Sequence, residues 1–316
     1  MKLRYAMPAS LFGAVLGLSG LANDWRAGHK LWQLPAWPGE ALALLAVAVW
    51  AICFAMYAAK WLWRRQAAMD EAEHPVQCCF LALIPVSTML VALAVLPYSR
   101  PLALVFYGAG AVGAVAFSVW RQGAILRGGR ELGTVTPILY LPAVAANFVA
   151  AIGAGALGWT TLAQALFGMG LFSWLAIESV QLHRLLHAEP LPPALRPTYG
   201  VQLAPPAVGL VAYMAAADTL SPMVASMLLG YALFQVLLAA RMLNWLLEGG
   251  FTGGFWSFTF GITALSLGAE RLALQGHALG DALAPYLFLL ANGVVAAIAV
   301  RSLWLLNRGR LLPVLV

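Results

Sequence analysis

Long apolar runs, separated by short charged or Pro/Gly-rich breaks, fill the chain from end to end. A helix needs about 20 apolar residues to cross the hydrocarbon core of a bilayer. Runs of about this length cover residues 5–22, 40–63, 77–97, 101–120, 135–156, 160–182, 199–217, 220–245, 255–270 and 283–304. The pattern therefore predicts an all-α integral membrane protein with ten transmembrane helices, and residues 1–316 form a single transmembrane domain.

Prolines separate these runs into two alternating sets. Proline lies inside the odd-numbered runs, except that the ninth has glycine instead, whereas we expect the even-numbered runs to be straighter and free of interior proline. The predicted helix kinks are Pro8, Pro85, Pro142, Pro205, Pro206 and Gly261. Lipid cannot satisfy the backbone groups that a proline leaves unpaired, so broken helices belong against protein or a water-filled path. The alternation predicts five helical hairpins, with an inner ring of five kinked helices inside an outer ring of five straighter ones.

Composition and charge agree with a membrane protein and predict its orientation. Of the residues, 62% are hydrophobic and 9% are charged, and the mean hydropathy is +0.84. If the N-terminus is inside, only four basic residues fall outside, namely Arg26, Lys30, Arg100 and Arg271. The fourteen on the inside are Lys2, Arg4, Lys60, Arg64, Arg65, Arg121, Arg127, Arg130, Arg184, Arg196, Arg241, Arg301, Arg308 and Arg310. Basic residues collect on the cytoplasmic side, which predicts a multi-pass protein of the inner (plasma) membrane with both termini in the cytoplasm. The net charge of +6 then requires no nucleic-acid partner.

Asp, Glu, Lys, Arg and His are nearly absent from the odd-numbered runs, where the first are Glu270 and Arg271 at the outer end of the ninth. Glu178 lies inside the sixth run, and we expect it to pair with a basic side chain such as Arg241 or Arg301. The odd-numbered runs therefore contain too few charged side chains to favour a proton relay or a cation site built of carboxylates.

Catalytic chemistry has little support in the sequence. His183 and His187 share a helix face and could hold a metal together with a carboxylate from elsewhere, but a third ligand has no obvious source. The chain contains no GxSxG, GxxxxGK[ST] or strand-associated GxGxxG motif. We predict no catalytic residue, metal or cofactor.

A neutral interior surrounded by positive potential admits anions better than cations, and an aromatic ring that projects into it can close it. Residues 255–261, FWSFTFG, supply candidates for such a ring, and Phe258 and Phe260 face different sides of a helix. The pore-lining candidates are Gly13, Ser87, Ala146, Ala207 and Ser257.

Five stretches, one in each odd-numbered run, resemble the tellurite-resistance and C4-dicarboxylate transporter family (TehA-like), which includes the plant guard-cell slow anion channel. They are residues 7–25, 80–90, 139–153, 191–213 and 255–265. The resemblance implies five hairpins around a central pore, one pore per subunit of a homotrimer, and passage of small inorganic or organic anions across the lipid bilayer. The family pattern W-x-[FY]-[ST]-F matches residues 256–260, so the resemblance implies a gate at Phe260. Gly261 follows, where several relatives have proline.

These observations predict an anion channel or channel-like transporter with passive permeation, and the family suggests tellurite resistance or C4-dicarboxylate transport as roles. Two alternatives stay open. One is a proton-coupled organic-anion exporter of the same fold that titrates Glu178 or Glu270. The other is a polytopic membrane enzyme with a metal site at His183 and His187.

Overall fold

The computed structural model describes residues 7–129 and 131–311. Lys2, Arg4 and Arg130, which the topology prediction places in the cytoplasm, lie outside the described residues, as do residues 5 and 6 of the first predicted run. The described residues form helices and loops, without a strand. The helices are α1 Gly13–Trp32, α2 Trp37–Trp63, α3 Arg65–Glu73, α4 Leu83–Val95, α5 Arg100–Ile125, α6 Ala146–Ala156, α7 Thr160–His187, α8 Ala204–Ala216, α9 Pro222–Arg241, α10 Leu243–Leu247, α11 Trp256–Ala273 and α12 Ala278–Asn307.

Seven helical stretches in the described part of the chain are long and apolar enough to cross a membrane. They are Trp37–Trp63, Gln77–Val95, Arg100–Ile125, Pro137–Ala156, Thr160–His187, Pro222–Arg241 and Ala278–Asn307. The other three predicted runs, 5–22, 199–217 and 255–270, fall on α1, α8 and α11, which are not among these seven. This all-helical arrangement fits a multi-pass membrane protein.

Buried and exposed helices alternate along the chain. In Pro137–Ala156, 89% of the most apolar window is buried, whereas in Trp37–Trp63 and Thr160–His187 the share is 22%. Helices α1, α4, α6, α8 and α11 form the buried set, and α2, α5, α7, α9 and α12 expose many apolar side chains. Such outward apolar faces suit a lipid environment, because water would make them costly.

The helix contacts follow the same division. Each buried helix packs against the exposed helix that follows it: α1 against α2, α4 against α5, α6 against α7, α8 against α9, and α11 against α12. The buried helices also contact one another in the order α1, α4, α6, α8, α11 and back to α1. The five buried helices therefore surround a common interior.

Each buried helix is preceded by a short stretch of 3₁₀-helix, and in one case by a π-helical turn as well. These stretches, here called the starting segments, are Ala9–Phe12, Gln77–Ala82, Pro137–Leu139 with the π-helical Leu141–Ala145, Arg196–Leu203 and Gly253–Phe255. Pro8 comes just before the first, Pro142 lies in the π-helical turn, and Pro85, Pro205 and Pro206 lie in the first turns of α4 and α8. Proline is tolerated there because the first amides of a helix have no partner four residues earlier. The breaks thus lie at the beginnings of the buried helices.

Two details differ from the sequence prediction. Pro285 lies inside α12, so the even-numbered runs are not free of interior proline. Helix α1 continues to Trp32, well beyond the end of the predicted run at residue 22, because small and apolar residues continue among the polar ones. The extension brings Asp24 into a buried helix that was expected to carry no charge.

Gly261 does not interrupt its helix. Helix α11 is continuous from Trp256 to Ala273, and a Cβ atom at position 261 would lie 2.9 Å from Leu203 Cγ and 3.1 Å from Ala204 N. The residue therefore serves close approach between α11 and the start of α8, and no break occurs at this position.

Close packing of α1 against α11 depends on two glycines. A Cβ atom at Gly17 would lie 2.2 Å from Thr259 Oγ1, and one at Gly20 would lie 2.0 Å from Thr263 Oγ1. The threonine hydroxyls donate to Trp256 O and Thr259 O of their own helix. Small residues opposite internally bonded hydroxyls let two membrane helices approach closely.

We expect Gly17→Ala to destabilise the protein by about 2 kcal/mol, because the added methyl group overpacks the contact with Thr259. Unfolding of purified protein in detergent measures the change. Gly230→Ala is the matched control, since that helical glycine has no atom within 4 Å of an added Cβ. The control should be neutral or slightly stabilising. Equal effects of the two substitutions would contradict the packing argument.

Candidate functional site

An inner cavity of about 40 Å³ lies where the five starting segments meet. Every buried helix or its starting segment contributes to its wall, through residues such as Gly13, Leu83, Ala145, Ala204 and Trp256. The beginnings of all five buried helices therefore converge on one small and mostly apolar space.

An outer cavity of about 510 Å³ lies further along the same five helices. Their later turns line it, through residues such as Gly20, Leu90, Ile152, Val208 and Ala264. The two cavities are thus consecutive spaces inside one ring of helices.

Phe260 lies between the two cavities and, among the described residues, is the only one that lines both. Its side chain is 8% exposed. Phe258, two residues earlier, turns to another cluster, where its ring lies 6.0 Å from that of Phe255 and contacts neither cavity. The side chain of Phe260 therefore forms part of the wall of both cavities.

The pore-lining candidates fall into two groups. Gly13 and Ser257 line the inner cavity, whereas Ser87, Ala146 and Ala207 line neither. Ser87 Oγ donates instead to Ile84 O of its own helix, at 2.9 Å. The cavity walls on those helices are made by Leu83, Leu90, Ala145, Ala204 and Val208. One residue along a helix turns the side chain by about 100°, and sequence alone does not set that rotation.

The two cavities differ in polarity. The inner one is lined by apolar and small residues together with Ser10 and Ser257. The outer one adds Asn23, Lys30 and Arg271. Sequence reasoning treated the two basic residues only as topology signals and overlooked Asn23, because the first helix was expected to end before it.

The buried carboxylate of Glu71 forms a hydrogen bond to the first starting segment, Ala9–Phe12. Glu71, on the short α3, accepts hydrogen bonds from Ala9 N at 2.8 Å, Tyr57 Oη at 2.9 Å and Lys60 Nζ at 2.6 Å. Lys60 Nζ also donates to Met7 O at 3.3 Å. The ion pair thus ties α2 and α3 to the chain that enters the wall of the inner cavity.

A second carboxylate, Glu178 of α7, joins three other parts of the fold. Its oxygens accept from Tyr140 Oη at 2.6 Å, Trp174 Nε1 at 2.8 Å, Gln202 Nε2 at 3.0 Å and Tyr231 Oη at 2.9 Å. Tyr140 precedes the π-helical turn and Gln202 belongs to the starting segment of α8, and each is next in sequence to a residue that lines the inner cavity, Leu141 and Val201.

The expectation that Glu178 pairs with Arg241 or Arg301 is wrong, because four neutral donors already occupy its oxygens. The guanidinium of Arg301 lies over the Trp304 ring instead, 5.0 Å from its centroid. Aromatic hydroxyl and indole donors can satisfy a carboxylate without a counter-charge when several converge on it.

His183 and His187 lie on one face of α7 with their ring centroids 4.8 Å apart, and both are exposed. Within residues 7–129 and 131–311, no group of three or more His, Cys, Asp and Glu side chains is placed to hold a metal ion.

Comparison with known proteins gives a consistent result along the chain. Residues 6–303 match the SLAC1 family, described as voltage-dependent anion channel. The chain is 31% identical over 311 residues to the tellurite resistance protein TehA homolog of Haemophilus influenzae, across 97% of this chain and 93% of that protein. It is 27% identical to the guard cell S-type anion channel SLAC1 of Arabidopsis thaliana, across 84% of this chain and 50% of that protein. Identity to the S-type anion channel SLAH4 of the same plant is 26%, across 87% and 77%.

We expect Glu178→Gln to lower the free energy of unfolding by about 2 kcal/mol, because an amide offers one acceptor oxygen where the carboxylate offers two. Thermal unfolding in detergent measures the loss. Glu189→Gln is the control, since Glu189 is exposed near the end of the same helix. A Glu178 variant as stable as this control would show that the four donors find other partners.

Proposed function

The chain belongs to the voltage-dependent anion channel family, SLAC1, and from that premise we propose that it is an anion channel or channel-like transporter with passive permeation gated by Phe260. The observation that carries the proposal is the position of Phe260 between two cavities that the same five helices surround. A single aromatic ring there excludes water and ions from the connection between them.

The proposed architecture is five helical hairpins, with the buried helices as an inner ring around a central pore and the exposed helices as an outer ring. The packing of each buried helix on its successor and the circular order of contacts among buried helices support it. We further propose ten membrane spans, cytoplasmic termini, residence in the inner (plasma) membrane and assembly as a homotrimer with one pore per subunit. The topology rests on the fourteen-to-four division of basic residues.

Helix orientation supports passage of anions over cations. The beginnings of five helices converge on the inner cavity, and a helix N-terminus carries partial positive charge. No acidic side chain of the described residues lines either cavity. Carbonyl groups in the broken turns would oppose anions, but Ser118 Oγ donates to Pro142 O and Ser257 Oγ to Pro197 O. The path is therefore weakly positive without containing a fixed strong charge at its narrowest point.

The relatives suggest which anions pass. One relative is named for tellurite resistance and two for S-type anion channels, which agrees with small inorganic oxyanions and halides as permeant species. Small organic anions such as C4-dicarboxylates are a further class that the outer cavity of about 510 Å³ has room for. Nothing in this family name points to an enzyme.

We expect Phe260→Ala to raise anion flux several-fold, because removal of the ring joins the two cavities. Chloride, nitrate and malate fluxes into proteoliposomes, compared on one preparation, measure the effect. Phe258→Ala is the control, since that ring is buried outside the path. Unchanged flux in correctly assembled Phe260→Ala protein would contradict the gate.

A proton-coupled exporter of the same fold is the second candidate, and one observation favours it. Asp24 and Glu270 are fully buried, and Asp24 Oδ1, Asp24 Oδ2 and Glu270 Oε2 have no hydrogen-bond partner. A buried carboxyl group with an unpartnered oxygen is less costly when it holds a proton. Glu178 is a poorer candidate because its oxygens are already occupied.

The passive channel and the proton-coupled exporter differ in whether they can accumulate an anion against its electrochemical gradient. A passive channel brings malate only to electrochemical equilibrium when a proton gradient is imposed on proteoliposomes, and this is the expected result. Accumulation beyond equilibrium in wild type, abolished by Glu270→Gln and retained in Glu178→Gln, would establish the exporter instead.

A further inference from the structure

The outer cavity contains three polar side chains, Asn23, Lys30 and Arg271, among otherwise apolar or small residues. All three come from α1 and α11, which pack against each other. We propose that they form a binding site for a small planar oxyanion, such as nitrate or a carboxylate group. The inference rests on the proposed function in that the site lies on the proposed path.

Arg271 is the centre of this site because its guanidinium is unpaired. Within the described residues it makes no hydrogen bond, and no carboxylate oxygen lies within 4 Å of it. Two other basic residues of this end do have partners: Arg26 makes two hydrogen bonds to Glu40, at 2.9 and 2.7 Å, and Arg100 donates to Leu157 O at 3.0 Å. A partly buried guanidinium that faces a cavity without a partner is costly unless an anion or water supplies one.

The chemistry of the donors selects the anion. A guanidinium presents parallel N–H groups that match two oxygens of a planar oxyanion, whereas a halide ion must accept both on a single atom, with bent hydrogen bonds. Lys30 adds a mobile ammonium group and Asn23 an amide donor, from turns of α1 that line the same cavity. The site therefore distinguishes planar oxyanions from chloride of equal charge.

Two buried acids adjoin the site, Asp24 and Glu270. Asp24 follows Asn23 and Glu270 precedes Arg271, and neither lines the cavity. Ser266 Oγ lies 3.4 Å from Glu270 Oε1 on the same helix. Because neither acid lines the cavity, neither occupies the space of a bound anion.

The test measures binding separately from flux. Thermal unfolding of purified wild type is followed while nitrate replaces chloride at constant ionic strength. Wild type should be stabilised by nitrate with a concentration dependence that Arg271→Gln loses. Arg271→Lys keeps the positive charge but lacks the parallel N–H groups of the guanidinium, and it should bind nitrate and chloride alike. Arg100→Gln is the matched control and should respond as wild type does.

A second measurement uses flux in the Phe260→Ala background. The half-saturating nitrate concentration should rise roughly tenfold or more on Arg271→Gln, since charge-assisted hydrogen bonds are lost. An identical nitrate response of wild type and Arg271→Gln, or no response in wild type, overturns the site. If anions fail to cross in both wild type and Phe260→Ala while nitrate still stabilises wild type through Arg271, the channel proposal falls and the site stands.

Discussion

Hydrogen bonding of the backbone is the constraint on which this structure depends, because lipid offers neither donors nor acceptors to a broken helix. The five buried helices all begin in irregular turns, and those turns meet at one end of a common interior. There, side chains of neighbouring helices provide hydrogen-bond partners for backbone groups that have none within their own helix. One example is Ser118 Oγ, which donates to Pro142 O. The exposed helices can face lipid since their amides and carbonyls bond within each helix.

Charged groups reinforce the same region from its periphery. Glu71 reaches the first starting segment through Ala9 N, and Glu178 reaches two more through Tyr140 and Gln202. Each carboxylate belongs to a helix outside the ring, so the outer helices fix the positions of the irregular turns. These two carboxylates therefore hold the starting segments in place. Asp24, Glu270 and Arg271, which form no ion pair within 4 Å among the described residues, lie instead at or near the outer cavity.

The helical character could be predicted from the long apolar runs and the placement of prolines, which are visible without knowledge of packing, whereas the family was predicted from the resemblance of five stretches of sequence. It could not obtain the rotation of each helix, so Ser87, Ala146 and Ala207 were chosen where their neighbours line the cavities. It also ended the first helix too early, since the polar residues after Ala22 resemble a loop until α11 covers them, and Asp24 was lost as a result. Partners of Glu178 were missed because aromatic donors far apart in sequence carry no charge to suggest them.

The backbone around Phe260 is closely packed, which limits the motions that could open the proposed gate. Helix α11 is continuous, it is held against α1 at Gly17 and Gly20, and it touches the start of α8 at Gly261. A backbone held on two sides leaves rotation of the phenylalanine side chain as the simplest opening motion. The open fraction is then set by a rotamer equilibrium, in which about 1.4 kcal/mol changes the ratio of the two states tenfold. Side chains that pack more or less tightly against the Phe260 ring would therefore change the conductance of the proposed channel over a wide range without any helix moving.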